Sequence, residues 1–224
     1  MIQMNYHVQI KSISRLTHDT LCLRLSKPHG YRYGIGQAIE VAIDNPGYEQ
    51  QFRPFTLTSL PFDPYLELIV KVYPDHGGFT QALSRLGENG PLIITAAWDS
   101  YDYRGEGVFI AAGSGITPFI PMIRQLSLSG RIPGHTLLYA NKTEADIIHK
   151  QALNKALGSR FINILSREYH SKLDYGRLDQ AYLKDKVSDF SEHFYICGPE
   201  AFSGAIKGYL INQGAAEAQI QIGY

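Results

Sequence analysis

The hydrophobic pattern changes period once, near residue 105, and this change constrains the fold more than any other feature. Before it, apolar residues gather in the short runs Asn5–Ile13, Thr20–Ser26, Ala38–Ile43, Phe52–Leu57, Tyr65–Val72 and Pro91–Ala97. In one run Leu21, Leu23 and Leu25 recur every second residue, which puts them on one face of a strand. Turn signals such as Pro28-His29-Gly30, Asp44-Asn45-Pro46-Gly47 and Pro61-Phe62-Asp63-Pro64 separate the runs. Short strands at spacings of roughly 8–12 residues predict an antiparallel barrel or sandwich. Thr80–Leu86 is the one helical stretch. Beyond residue 105, strand-like runs alternate with helical ones. Gly107–Ala112, His135–Ala140, Phe161–Leu165, His193–Cys197 and Gln219–Ile222 read as strands. The pattern of Ile120, Ile123 and Leu126, then Ala145–Leu157, Leu178–Val187 and Glu200–Gln213, reads as helices. This alternation predicts a doubly wound α/β domain with a parallel sheet. The expected domains are 1–103 and 104–224, joined in the polar stretch Ser100–Glu106.

The 224 residues suffice for two compact domains without a disulfide or metal staple. Lys and Arg (21) balance Asp and Glu (21), which argues against a nucleic-acid binder. The two cysteines, Cys22 and Cys197, form no CxxC pair, so this chain alone builds no cysteine zinc site or iron–sulfur cluster. The opening MIQMNYHVQIKS lacks the charged and apolar regions of a signal peptide, and no apolar run is long enough to span a membrane. A cytoplasmic location is expected.

Three motifs point to phosphate chemistry. Gly113-Ser114-Gly115-Ile116-Thr117-Pro118 follows an apolar run and precedes a helix. Glycines let backbone approach a ligand, and free N–H groups at a helix start suit a pyrophosphate; a tight turn without ligand gives the same local pattern. Gly77-Gly78-Phe79-Thr80 opens the short helix, either with Thr80 as a cap or as an anion site. In Arg53-Pro54-Phe55-Thr56-Leu57-Thr58-Ser59, alternation puts Arg53, Phe55 and Leu57 on one side and Thr56 and Thr58 on the other.

With Cys197-Gly198-Pro199-Glu200 after Phe194-Tyr195-Ile196, these motifs stand in one order along the whole chain. Together they resemble the ferredoxin–NADP reductase superfamily, which includes flavodoxin reductases, cytochrome-b-type reductases and the reductase modules of flavohaemoglobins and oxygenases. The resemblance implies an antiparallel β-barrel flavin domain followed by a nucleotide domain. It implies FAD, with FMN the less favoured flavin, and NADH or NADPH as reductant. Arg53 would pair with the flavin pyrophosphate, where a bidentate, permanently charged fork is suited. Pro54, Phe55, Thr56, Leu57, Thr58 and Ser59 would form a flavin wall, with the Thr56 hydroxyl on flavin N5. Phe55 stands where the family usually has tyrosine. Ile69, Val70 and Lys71 would place a strand backbone along the flavin edge. Gly77, Gly78, Phe79 and Thr80 would hold the diphosphate.

In the second domain the resemblance places Gly113, Gly115, Ile116, Thr117 and Pro118 along the dinucleotide crevice, and Cys197, Gly198 and Pro199 near the nicotinamide. Tyr139–Ile148 resembles the Asn-(Arg/Lys)-Thr-Glu-x-Asp-Ile run of cytochrome-b-type and oxygenase reductases. Asn141 and Lys142 would face the adenosine ribose, and Thr143 or Asn141 would cap the following helix. Lys142, Arg167 and Lys172 are the cations open to a 2′-phosphate, and the reading favours NADH. Tyr224 would stack on the flavin, or it is an edge-strand residue. The catalytic set implied is Thr56, Cys197 and Tyr224. With no fused iron–sulfur or haem segment expected, the acceptor would be an external one-electron carrier such as flavodoxin, ferredoxin or a cytochrome. Lys71 and Arg85 are candidate cations for meeting it. The rival readings are a complex-bound electron-relay subunit and a non-catalytic nucleotide-binding module.

Overall fold

The computed structural model describes residues 5–73 and 77–223, which divide into two compact units. One runs to Ser100 and takes in Ile120–Met122; the other holds Tyr101–Phe119 and the chain from Ile123.

The first unit contains β1 (Asn5–Thr17), β2 (Thr20–Ser26), β3 (Gln37–Ile43), β4 (Arg53–Thr56), β5 (Tyr65–Lys71), α1 (Phe79–Ser84), β6 (Pro91–Thr95) and β7 (Trp98–Asp99). Every pairing is antiparallel, in the order β4-β3-β6-β1-β2-β5, with β7 added to β3. The two end strands of this order meet at a bridge between Leu57 and Leu68, which curls the sheet into the expected barrel. Its interior is filled by alternating residues: Leu21, Leu23 and Leu25; Ile39, Val41 and Ile43; Leu66, Leu68 and Val70; Leu92 and Ile94. This is period-two alternation read directly from sequence. The two-residue strand β7 is too short to show it.

The second unit contains β8 (Gly107–Ala112), α2 (Phe119–Leu128), β9 (His135–Asn141), α3 (Lys150–Leu157), β10 (Phe161–Leu165), β11 (Asp174–Tyr175), α4 (Gln180–Lys186), β12 (His193–Cys197), α5 (Glu200–Asn212) and β13 (Ile220–Ile222). All its strands pair in parallel, in the order β11-β10-β9-β8-β12-β13. From β8 the chain first winds outward through β9 to β11, then returns to β12 on the other side. The switch point of the sheet therefore lies between β8 and β12, where ligand crevices form at the strand C-termini. Val108, Ile110, Leu138, Phe194 and Ile196 pack with Leu183, Ile206 and Leu210 of α4 and α5. Phe109 points the other way, with its ring centroid 5.0 Å from that of Phe119 on α2. Burial on both faces explains the near-continuous apolar runs of this half.

Two expectations change. The helix expected over Ala145–Leu157 is broken: a 3-10 turn spans Glu144–Asp146, His149 adopts a left-handed conformation with φ 53°, and α3 begins only at Lys150. Asp146 is buried and accepts from both the Thr143 N–H (2.8 Å) and the Thr143 hydroxyl (2.7 Å), so Thr143 leads the 3-10 turn and caps no α-helix. The stretch at the join is also less solvated than its polarity suggests. Tyr101 is buried, and its hydroxyl donates to the Ile196 carbonyl and accepts the Gly223 N–H at 2.7 Å. The expected boundary at 103/104 lies inside this docked stretch.

The rings of Tyr103 and Phe109 lie against His135, with centroids 5.7 and 5.6 Å away, and the Tyr103 hydroxyl lies 2.8 Å from His135 Nε2. Burial holds the His135 pKa below the ordinary histidine range. The unfolded chain therefore binds this proton first as pH falls. The stabilising contribution of neutral His135 is complete above the unfolded pKa and is lost as pH drops toward the folded value. Melting temperatures at pH 7 and pH 5 are expected to differ less in His135→Gln than in the parent; an equal or larger drop in the variant would contradict this.

Candidate functional site

In the first unit the barrel strands splay where a flat ligand needs them to. The Leu57 N–H donates to the Gln37 carbonyl (3.1 Å), so Leu57 faces β3 and the Thr56 N–H, one residue earlier, faces away from it. No strand pairs with that side of β4 among the described residues. Pro54 sits on the same open side, where the missing N–H of proline is tolerated. On β5, the Glu67 carbonyl accepts the Thr58 N–H (2.9 Å), which turns Glu67 away from β2. Alternation then leaves the backbone groups of Ile69 and Lys71 on that same outer edge. The Leu57–Leu68 bridge joins the two strands here, and it leaves the Thr56 N–H on one and the backbone around Lys71 on the other without a strand partner among the described residues.

Arg53, Phe55 and Phe79 converge beside them. The Arg53 guanidinium lies 6.0 Å from the Phe79 ring centroid, and the Phe55 and Phe79 centroids are 6.2 Å apart. Arg53 is exposed, and its Nη1 donates to the Phe52 carbonyl at 2.8 Å, leaving the rest of the fork available. Gly77 has φ +57° with open space around it, and Gly78 precedes α1 without a side-chain cap. Thr80 lies inside α1 and does not cap it. An exposed arginine, an uncapped glycine turn and the open Thr56 N–H fit a flavin with its diphosphate.

Several expected ligand side chains point inward. Leu57 belongs to the barrel core, and Val70 is 1 % exposed. Thr58 and Ser59 are buried and spend their hydroxyls on Glu67: Thr58 Oγ1 donates to its carboxylate (3.1 Å), and Ser59 Oγ accepts its N–H (3.0 Å). These four residues have only backbone to offer a ligand. Of the two candidate docking cations, Lys71 is paired with Asp19 at 2.8 Å and Arg85 is exposed.

In the second unit two glycine motifs meet at the switch point. Gly113–Ile116 forms a 3-10 turn between β8 and α2, so the expected tight turn is itself helical. Pro118 follows with helical φ −68° at the start of α2. A Cβ on Gly115 would stand 2.3 Å from the Cys197 carbonyl oxygen, and one on Gly198 would stand 2.7 Å from the Phe202 ring and 3.0 Å from Ala112 Cβ. Glycine at these positions lets the two loops touch. Ile116 and Pro118 are buried, while Thr117 is half-buried. Gly113 has φ +54°, and its carbonyl accepts the Tyr139 hydroxyl at 2.8 Å. Cys197 ends β12, and burial raises its thiol pKa, so it carries no thiolate. Pro199 is exposed and leads into α5. Tyr224 lies outside the described residues.

At the end of β9, Asn141 is buried and both polar atoms of its amide lack a partner. A buried amide left unpaired is costly, and a polar ligand at this strand end would satisfy it. Lys142 is exposed, and its carbonyl accepts the Arg167 N–H at 2.9 Å, so the two cations share neighbouring turns. The Glu168 carboxylate stands there too, accepting the Glu144 N–H at 2.7 Å. The residues present fit a nicotinamide nucleotide. Sequence reasoning missed Glu67, Tyr101 and Glu168; the signal for Glu67 was a lone charge inside the apolar run Tyr65–Val70.

Comparisons with known proteins bear on the family and the fold. Residues 5–91 match an FAD-binding domain family and residues 109–208 an oxidoreductase NAD-binding domain family. NADH-cytochrome b5 reductase 2 of Aspergillus oryzae is 30% identical, over 90% of this chain and 68% of its own length. The Mycosarcoma maydis protein of the same name is 29% identical, over 96% of this chain and 69% of its own length. Among solved structures, the CS–b5R domains of human Ncb5or in the NAD+ form superpose with TM-score 0.86 at 25% identity, covering all of this chain and 70% of that one. A ferredoxin NADP+ reductase from Neisseria gonorrhoeae with bound FAD and NADP gives TM-score 0.84 at 19% identity, covering 97% of each chain, which shows the shared fold. The chain thus carries an FAD-binding domain followed by an NAD-binding domain, and it belongs to the ferredoxin–NADP reductase-like flavoprotein reductases.

Proposed function

We propose that this reductase takes hydride from NADH and passes the electrons singly to an external carrier, with a b-type cytochrome as the first candidate. The observation that carries this reading is the open backbone of Thr56 beside the exposed Arg53 and the uncapped Gly77-Gly78 turn. When bound, FAD accepts two electrons from the nicotinamide and releases them one at a time. Arg53 neutralises the flavin diphosphate, and the backbone at Gly78 and Phe79 supports it. Thr56 would hold the reacting edge of the flavin through its hydroxyl and N–H, and the Ile69–Lys71 backbone would border the flavin beside it. Gly113, Gly115 and Thr117 line the nucleotide crevice, Asn141 receives the ribose, and Cys197 packs a neutral thiol near the nicotinamide. Tyr224 is assigned to the flavin face.

NADH is preferred over NADPH in this reading. A carboxylate beside the ribose site suits a 2′-hydroxyl and opposes a 2′-phosphate, and Glu168 stands beside the Asn141–Lys142 turn. The names of the two fungal relatives support both the donor and the cytochrome acceptor. Both cysteines are free thiols, in keeping with a cytoplasmic setting, and no described helix is long and apolar enough to cross a membrane.

A second reading, a reductase module working inside a larger assembly, is favoured by other relatives. The chain matches 23% of the length of a Beauveria bassiana nitrate reductase and 47% of methane monooxygenase component C of Methylosinus trichosporium. Anaerobic titration of the FAD-loaded protein with NADH and NADPH, with and without cytochrome b5, tests both readings. Rapid bleaching of the flavin band by NADH and onward reduction of the cytochrome are expected. A protein that takes up no FAD would sink the proposal; reduction by NADH with no transfer to any free carrier would favour the module. Thr56→Ala is expected to slow flavin reduction about tenfold, the worth of one well-placed hydrogen bond. An unchanged rate in stopped flow would remove Thr56 from its assigned role.

A further inference from the structure

Glu67 is a buried acid on β5, 8 % exposed, and all of its polar groups are engaged. Its N–H donates to Ser59 Oγ (3.0 Å), and its carbonyl accepts the Thr58 N–H (2.9 Å) and hydroxyl (3.2 Å). One carboxylate oxygen accepts the Thr58 hydroxyl at 3.1 Å, and the other pairs with Arg24 Nε at 3.1 Å. Arg24 is in turn braced over the Tyr65 ring, 4.4 Å from its centroid. The Cys22 thiol is pushed up to about 12 by burial and by the Glu67 carboxylate, so no second anion forms at this spot.

A buried carboxylate is costly unless it is fully paired, so such a group marks a place where geometry is specified. Here the place is the closure of the barrel. Thr58 and Ser59 end the segment that begins at Arg53, and Glu67 lies one residue before the Leu57–Leu68 bridge. The bridge also sets where Thr56, the next residue back, stands against β5. A single side chain therefore fixes both strands at their junction. We propose that Glu67 is a positioning residue for the flavin, locking the Arg53–Ser59 segment to β5 and so setting where the open Thr56 backbone is presented. The assignment rests on the flavin reading above.

The test is FAD binding to apoprotein, followed by flavin fluorescence and by visible circular dichroism of the bound flavin. Glu67→Gln keeps the shape but loses the ion pair with Arg24, and should weaken FAD about threefold; Glu67→Leu should weaken it about tenfold or more, the scale of one or two lost charge-assisted bonds. The visible dichroism should shrink in the same order, because it reports how the ring is held. If Glu67→Leu does not fold, Glu67→Gln and Arg24→Met carry the same comparison. Variants that melt earlier but bind FAD with parent affinity and parent dichroism would overturn the proposal and leave Glu67 a purely structural residue. Arg53→Ala separates the two levels. If Arg53→Ala weakens FAD and the Glu67 variants do not, the positioning role alone fails. If Arg53→Ala binds FAD normally, the flavin reading fails and takes this assignment with it.

Discussion

Gly115→Ala is expected to cut flavin reduction by NADH about a hundredfold or more while leaving FAD bound. The added methyl would sit 2.3 Å from the Cys197 carbonyl oxygen and 2.7 Å from the Gly198 nitrogen. Both obstacles are backbone, so no side chain can swing aside. Gly115 follows β8 and Cys197 ends β12, and these strands are parallel neighbours paired from His193↔Gly107 to Cys197↔Ala111. Relief of the clash therefore moves one of the two loops at the switch point of the sheet. A displacement of about 1 Å in a positioning element costs roughly 10²-fold in rate, and overpacking costs about 1–3 kcal/mol in stability. Gly113→Ala is the matched control: its Cβ meets open space, and only the positive φ opposes it, at about 1–2 kcal/mol. Stopped-flow reduction and flavin content of both variants decide the matter. A Gly115→Ala protein reduced at the parent rate would show that the contact between these loops does not govern the nucleotide site.

Arg53→Ala is expected to weaken FAD about 30- to 150-fold, corresponding to roughly 2–3 kcal/mol for a charge-assisted contact with a diphosphate. The guanidinium is exposed and held near the Phe79 ring at the start of α1, so its loss removes charge without opening a cavity. The fold should survive, and the apoprotein should melt close to the parent temperature. Arg53→Lys should recover only part of the affinity, because an ammonium does not reproduce the planar fork. Equilibrium titration of the three apoproteins with FAD gives the ratios directly. Equal affinities for all three would move the diphosphate away from this corner of the barrel.

Much of this architecture is visible in the chain before any coordinates. Leu21, Leu23 and Leu25 announce a strand with one buried face, and the runs around Phe109 and Phe194 announce strands buried on both. The motif glycines are equally legible as positions of close approach, although which surface Gly115 approaches is a tertiary fact. What it touches in the fold is the Cys197–Gly198 backbone. Hydroxyls are the least legible. Thr56 and Thr58 look equivalent along the strand, yet Thr58 is consumed by Glu67, seven residues beyond Ser59's neighbour Leu60 and on another strand. Capping also escapes a pattern-based reading. The periodicity over Ala145–Leu157 is helical throughout, and only the competing bonds between Thr143 and Asp146 and the left-handed His149 split it. Tyr101 sits in a stretch whose composition signals a linker, and its burial comes from partners at Ile196 and Gly223 far along the chain.

The position of β6 bears on how the first unit assembles. Residues Pro91–Thr95 pair with β1 on one side and with β3 on the other. Without them β1-β2-β5 and β3-β4, with β7, are held to each other by the Leu57–Leu68 bridge in place of a strand ladder. During synthesis both pieces, β7 aside, emerge from the ribosome before the strand that unites them. Contacts of such long sequence separation form slowly, and until they form each piece presents unpaired edges. Until residue 95 is made, a nascent chain of this protein thus carries the β1 and β3 edges that β6 later covers.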